Sequence, residues 1–242
     1  MLTKTKSILK RLVGEKALGC WDYLVKPELL DGWGGPFNGQ IHRQGIFMEL
    51  IERLPFKSIV ETGTFLGTTT EFLAKAGVPI YTVESSPRSY AYAFLRFYHR
   101  RDQVHLYEGD SVKFLRSLAS RSDIPMANVL FYLDAHWEEH LPLKEELEII
   151  FSSWRESVVL IDDFQVPGTD YGYDDYGPGN VLNTSYLEQV DHLNLSAFFP
   201  AIPAGQETGK KRGCVVLSRE ECVTKRLSDL HSLISAKQMV KC

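Results

Sequence analysis

Ser58-Ile59-Val60-Glu61-Thr62-Gly63-Thr64-Phe65-Leu66-Gly67-Thr68-Thr69-Thr70 joins a short apolar run to a glycine-punctuated turn and then to a helical pattern. Glycines at such a turn let the backbone approach a ligand with no Cβ in the way. Tight turns between strands and helices need glycine for packing too, so the pattern alone leaves both readings open. The rhythm recurs in Ile80-Tyr81-Thr82-Val83-Glu84, Val104-His105-Leu106-Tyr107, Val129-Leu130-Phe131-Tyr132-Leu133 and Val158-Val159-Leu160-Ile161. Runs so continuously apolar suit strands buried on both faces of a parallel sheet. Ser86-Pro87, Asp110-Ser111 and Pro142 open helices between them. With right-handed crossovers, the prediction is an α/β fold: a doubly wound, mostly parallel sheet with helices on both faces.

Working outward, Ala197-Phe198-Phe199 and Cys214-Val215-Val216-Leu217 predict a C-terminal antiparallel hairpin that closes the sheet edge. The loop between them carries Glu207, Lys210, Lys211 and Arg212, a solvated tip or a place to meet a phosphate. Residues 1–30 read as helical and residues 31–40 as a glycine-rich loop. Residues 1–45 are then a helical and loop cap on the single domain formed by 46–242.

The chain has 242 residues, enough for one sizeable core, with 44% hydrophobic and 24% charged residues. A net charge of −4 argues against a nucleic-acid partner. No stretch approaches the roughly 20 apolar residues that span a bilayer. The basic N-terminus (Lys4, Lys6, Lys10, Arg11) precedes no unbroken apolar run. Cys20, Cys214, Cys222 and Cys242 show neither zinc-site nor disulfide spacing, which fits a reducing compartment. The expectation is a soluble cytoplasmic protein without membrane association, with a homo-oligomer left open.

Two further acids point to a ligand at the glycine turn. Glu84 ends the second strand, about 20 residues on, where a carboxylate can accept both hydroxyls of a ribose. Asp110, in Glu108-Gly109-Asp110-Ser111, ends the third, either to reach an adenine amino group or to cap the following helix. On these residues the chain resembles the class I S-adenosylmethionine-dependent methyltransferases over roughly residues 58–217. Phe65 stands where the glycine motif usually has its second glycine, as an aromatic does in the catechol O-methyltransferase group. The resemblance implies a Rossmann-like sheet. It also implies an S-adenosylmethionine site with Glu61 and Gly63 near the methionine part, Glu84 at the ribose, and Asp110 with Ser111 at the adenine. Thr64, Gly67 and Thr68 line the same turn.

The fourth strand ends in Asp134-Ala135-His136-Trp137-Glu138 and the fifth in Asp162-Asp163, on one edge of adjacent strands. Carboxylates converging without a basic partner repel each other, and a hard divalent cation such as Mg²⁺ resolves the conflict. Asp134, Asp162 and Asp163 are therefore the expected metal ligands, with Asp162 as a loop cap and Asp163 as its solvated neighbour the plainer alternative. The catechol and macrolide-sugar O-methyltransferases carry acids at similar places. His136 is the expected catalytic base, since imidazole accepts a proton near neutral pH. It could instead orient a ligand, and Glu138 is the next candidate base. Trp137 either covers the cofactor or fills core space.

The function expected is metal-assisted O-methylation of a hydroxyl on a small-molecule acceptor such as a sugar or polyketide. The tyrosine-rich segment 165–179 would dress the acceptor pocket, or else form a mobile surface loop. A metal-dependent hydrolase and a non-catalytic methyltransferase-like binding module are the alternatives.

Overall fold

A computed structural model describes residues 14–136 and 141–239. Trp137 and Glu138, the basic residues before position 14, and Cys242 lie outside the described residues. All five apolar runs are strands: β1 (Ser58–Thr62), β2 (Ile80–Glu84), β3 (Val104–Glu108), β4 (Val129–Leu133) and β5 (Val158–Ile161). They pair in parallel in the order β3-β2-β1-β4-β5. β6 (Ser196–Pro200) and β7 (Val215–Ser218) form the expected antiparallel pair, with β7 antiparallel against β5. The hairpin does not close the sheet, because β8 (Leu233–Ser235) adds antiparallel outside β6. Three residues are too few to show an alternating pattern, so β8 could not be read from its own sequence.

Seven main helices surround the sheet: α1 (Glu15–Val25), α2 (Ile41–Arg53), α3 (Thr68–Leu73), α4 (Pro87–Arg96), α5 (Ser111–Ala119), α6 (Leu143–Ser153) and α7 (Glu221–Ser228). Strand alternation feeds two cores. Val60, Phe131, Leu133, Val159 and Ile161 face α5 and α6. Ile59, Leu130, Tyr132, Leu160 and Val216 face α2, α3 and α7. Each such side chain, fully buried, contributes roughly 1.5–3 kcal/mol of transfer free energy. No described helix is long and apolar enough to cross a membrane.

The capping signals work as read. Ser86 Oγ accepts from Ser89 N at 3.3 Å, and Asp110 Oδ1 accepts from Lys113 N at 2.9 Å. The glycine-rich stretch is more ordered than a plain loop. It is a 3₁₀ turn (Pro27–Gly34) followed by the short turn Pro36–Gly39. Trp33, Gly34, Gly35, Phe37, Asn38 and Gly39 all have positive φ, which explains its glycine content. Phe37 anchors it, buried in edge-on contact with Phe72 and Tyr132.

Gly63 sits where β1 leaves the sheet, at φ +89, and a Cβ there would run into the carbonyl of Asp134. Gly63→Ala should therefore destabilise the fold by roughly 3 kcal/mol or more in denaturant unfolding. Gly45, inside α2 with open space around it, serves as the contrast. Gly45→Ala should stabilise by up to about 1 kcal/mol.

Candidate functional site

The parallel register brings the ends of β1, β2, β4 and β5 to one carboxyl edge, where ligands of such sheets bind. A crevice there is lined by Gly63, Thr64, Phe65 and Thr68 of the glycine turn, by Asp134, and by Trp33 and Asn38 of the N-terminal strap. Thr68 Oγ1 donates to Leu30 O at 3.1 Å, and Phe37 N donates to Thr69 Oγ1 at 3.2 Å. The strap is thus tied to the glycine turn it covers.

Both acids beside the glycine turn, Glu84 and Glu61, have protein partners. Glu84 Oε2 accepts from Phe65 N and Oε1 from Ser86 N, both at 2.7 Å. These two bonds shape the turn and orient the carboxylate. They leave further lone pairs on each oxygen, since an ionised carboxylate has about four acceptor sites. Glu61 is fully buried, and its Oε2 accepts from Thr70 Oγ1 at 2.6 Å and Thr82 Oγ1 at 2.5 Å. Its Oε1 has no hydrogen-bond partner. Glu61 therefore sits beneath the turn. Gly67 also has a packing reason, because a Cβ would lie 2.5 Å from the Phe97 ring. Asp110 caps α5, and Ser111 is buried at its start.

The acidic half departs from the expectation that no basic partner is near. Arg43 of α2 is 1% exposed and donates from Nη1 to Asp162 Oδ1 and from Nη2 to the Arg212 carbonyl. Tyr132 Oη donates to Asp162 Oδ2 at 2.6 Å. Arg212 is no solvated hairpin tip: its Nε donates to Asp163 Oδ1 at 2.7 Å and its Nη2 to Asp174. Asp162 belongs to a buried ion pair, which neither its reading as a metal ligand nor its reading as a loop cap includes. Burial pushes its carboxyl up, but the Arg43 charge and the bonds from Tyr132 and Arg43 outweigh that and hold it below the ordinary range.

The groups that do converge are Asp134, His136 and Asp163, with ligating atoms within 4.8 Å of one another. His136 is buried, and its Nε2 has no hydrogen-bond partner among the described residues, standing 3.8 Å from Asp134 Oδ1. Burial depresses the His136 pKa below the ordinary imidazole value, against the opposing pull of Asp174 and Asp162, which favours the neutral ring. The surrounding protein, then the charges of Asp162 and Asp163, push Asp134 well above the aspartate range. Asp163 is raised to about 7, by burial and the Asp162 charge, with Arg212 pulling the other way. Asp134, Asp162, Asp163 and Asp174 share this edge with Arg43 and Arg212, a surplus of two acids over cations that the raised Asp134 and Asp163 relieve by holding protons more tightly. Two carboxylates, a neutral imidazole and that surplus fit a divalent cation.

The tyrosine-rich segment is firmly held on its near side. Val166 and Tyr171 are buried, Tyr171 Oη donates to Ile202 O at 3.0 Å, and Asp174 N donates to Asp163 O at 2.9 Å. Tyr176 Oη donates to Asp174 at 2.5 Å, and its ring meets His136 edge-on at 6.5 Å.

Arg43 had a signal in the sequence. It lies with Ile46, Phe47 and Leu50 at the i, i+3, i+4, i+7 positions of an apolar helix face, where a cation needs a buried partner. Asp174, Tyr132 and Glu207 had none, since their partners are distant in sequence. Glu207 accepts from His42 N at 3.1 Å and Arg43 N at 3.2 Å. It thereby completes the N-terminus of α2 with a favourable charge.

Burial raises the Glu61 pKa to about 7 from an ordinary 4.5. A folded-state pKa above the unfolded one means stability present below pH ~4.5 and lost as pH rises through ~7. Relative to Glu61→Gln, the wild type should therefore lose on the order of 2 kcal/mol between pH 5 and 8, read from urea unfolding at each pH.

No protein-family model and no curated protein sequence matches the chain. Solved structures do match in fold. An O-methyltransferase from Bacillus cereus in complex with SAH aligns with a TM-score of 0.54 and 14% identity, covering 90% of this chain and 97% of that one. The O-methyltransferase TomG from Streptomyces achromogenes, involved in tomaymycin synthesis and solved with SAM, aligns with a TM-score of 0.53 and 19% identity. The alignment covers 72% of this chain and 77% of TomG. The chain has the Rossmann-like fold of these methyltransferases: a mostly parallel sheet with helices around it and an antiparallel C-terminal pair.

Proposed function

We propose that this chain is an S-adenosylmethionine-dependent O-methyltransferase assisted by a divalent cation and acting on a hydroxylated small molecule. The observation that carries the reading is one crevice at the carboxyl edge, shared by the glycine turn and Asp134. The structures it resembles in fold, bound to SAM and SAH, support the cofactor.

In this reading Glu84, fixed by its two backbone donors, offers its remaining lone pairs to the ribose hydroxyls. Asp110 and Ser111 stand at the start of α5 on the adenine side, and Glu61 supplies negative potential beneath the cofactor's charged methionine end. The cofactor supplies an electrophilic methyl group, and Mg²⁺ or a similar cation lowers the pKa of the acceptor hydroxyl that receives it. Asp134, His136 and Asp163 would hold that cation, and Asp174 and Tyr176 would close the acceptor side next to His136. A neutral buried imidazole favours a second role for His136 as proton acceptor, and one variant separates the two. If it is a ligand, His136→Ala should weaken Mn²⁺ binding about tenfold or more. If it is the base, metal affinity should persist while turnover falls roughly 10²–10⁴-fold with loss of the acidic limb of the pH–rate profile.

For the cofactor, titration calorimetry should show S-adenosylmethionine binding without added metal. Glu84→Ala should weaken it on the order of a hundredfold, from the loss of a two-point carboxylate contact. Unchanged affinity in the folded variant would remove Glu84 from the ribose. Methyl transfer to a panel of sugar and phenolic acceptors, followed by S-adenosylhomocysteine release with and without chelator, tests the activity. Transfer unaffected by chelator would remove the cation from the reaction.

A further inference from the structure

From the buried contacts around Asp162 we infer that Arg43 is a positioning residue for the metal site. It acts as a fixed internal cation that withdraws Asp162 from the ligand set and leaves the divalent ion to Asp134, His136 and Asp163. The inference rests on the metal reading above and concerns how the acids are divided.

Asp162 and Asp163 are adjacent at the end of β5, and both stand near Asp134. A divalent ion placed among them would ordinarily recruit every free carboxylate, because ligand charge governs the affinity of oxygen sites for hard cations. Asp162 is not free. Oδ1 carries the Arg43 guanidinium and a bond from Asp163 N at 2.9 Å, and Oδ2 carries Tyr132 Oη at 2.6 Å. Both Arg43 and Asp162 are 1% exposed, so neither can exchange its partner for water. Arg43 is itself immobilised by the Arg212 carbonyl and by Glu207, which accepts from its backbone N–H. Asp163 has a positive φ of +52, and Arg212 engages only its Oδ1. The unpartnered Nε2 of His136 takes the place in the cluster that Asp162 does not fill.

The account makes an unusual demand: removing a buried cation should strengthen binding of another cation. The test is titration of Mn²⁺ into the full-length protein and its variants by calorimetry, with circular dichroism checking each fold. Asp134→Asn should weaken Mn²⁺ binding about tenfold or more, and Asp162→Asn, which keeps size and hydrogen bonding, should change it less than about threefold. Folded Arg43→Met, freeing Asp162, should bind Mn²⁺ about tenfold tighter, whereas Arg43→Lys, keeping the charge, should not. Asp162→Asn weakening Mn²⁺ as much as Asp134→Asn does, or folded Arg43→Met binding no tighter than wild type, would overturn the inference while leaving the metal reading intact. Failure of the wild type to bind Mn²⁺ while it still binds S-adenosylmethionine would overturn both. Asp162→Asn alone keeps the inference open to refutation if Arg43→Met does not fold.

Discussion

Arg43 and Asp162 meet where water does not reach, and the layout of the crevice follows from that contact. A buried charge stripped of its partner typically costs 3–5 kcal/mol, so α2 and the turn after β5 are bound to a single mutual placement. Gln40 adds a reciprocal pair of bonds to the backbone of Arg212, and Glu207 completes the first turn of α2. The N-terminal strap enters α2 directly, so its position over the glycine turn is inherited from the same contact. A region that looks peripheral in sequence thereby becomes one wall of the site.

The parallel sheet creates the electrostatic problem that this contact partly solves. Register alone delivers the acids after β4 and β5 to one edge, whatever their charges. Two arginines pair with three of the four carboxyls, Asp162, Asp163 and Asp174, and each arginine is recruited from a distant part of the chain. Asp134 is left without an arginine partner, beside an imidazole whose pKa burial lowers. Glu61 shows the same economy beneath the glycine turn. Two threonine hydroxyls satisfy one of its oxygens and the other is left without a partner. A site arranged in this way holds its polar groups ready for a ligand and carries a stability penalty without one.

The sheet was legible because its signals are local. Continuous apolar runs mark buried parallel strands, and Ser86, Asp110 and Pro142 mark helix starts within a residue or two. Glu84, Asp134 and Asp163 were legible because topology fixes which strand ends share an edge. The ion pairs were not, since each joins residues more than 30 positions apart and depends on how α2 and the segment before β7 fold back. The arginine partner of Asp162 lies 119 residues upstream, where no local pattern signals it. Two of the glycines were legible for an incomplete reason. Gly63 lines the crevice and Gly67 belongs to the same turn, yet the backbone of Asp134 and the ring of Phe97 already require them to lack a side chain. β8 escaped because a three-residue strand is defined by its neighbour.

The central claim is that one crevice holds both S-adenosylmethionine at the glycine turn and a divalent cation at Asp134, His136 and Asp163. A crystal grown with S-adenosylhomocysteine and Mn²⁺, with anomalous data at the manganese edge, tests it most directly. The account predicts a single manganese peak within bonding distance of Asp134, His136 and Asp163, with the Arg43–Asp162 pair intact and the ribose against Glu84. A nucleoside bound away from Glu84, or no manganese at those three side chains, would contradict it.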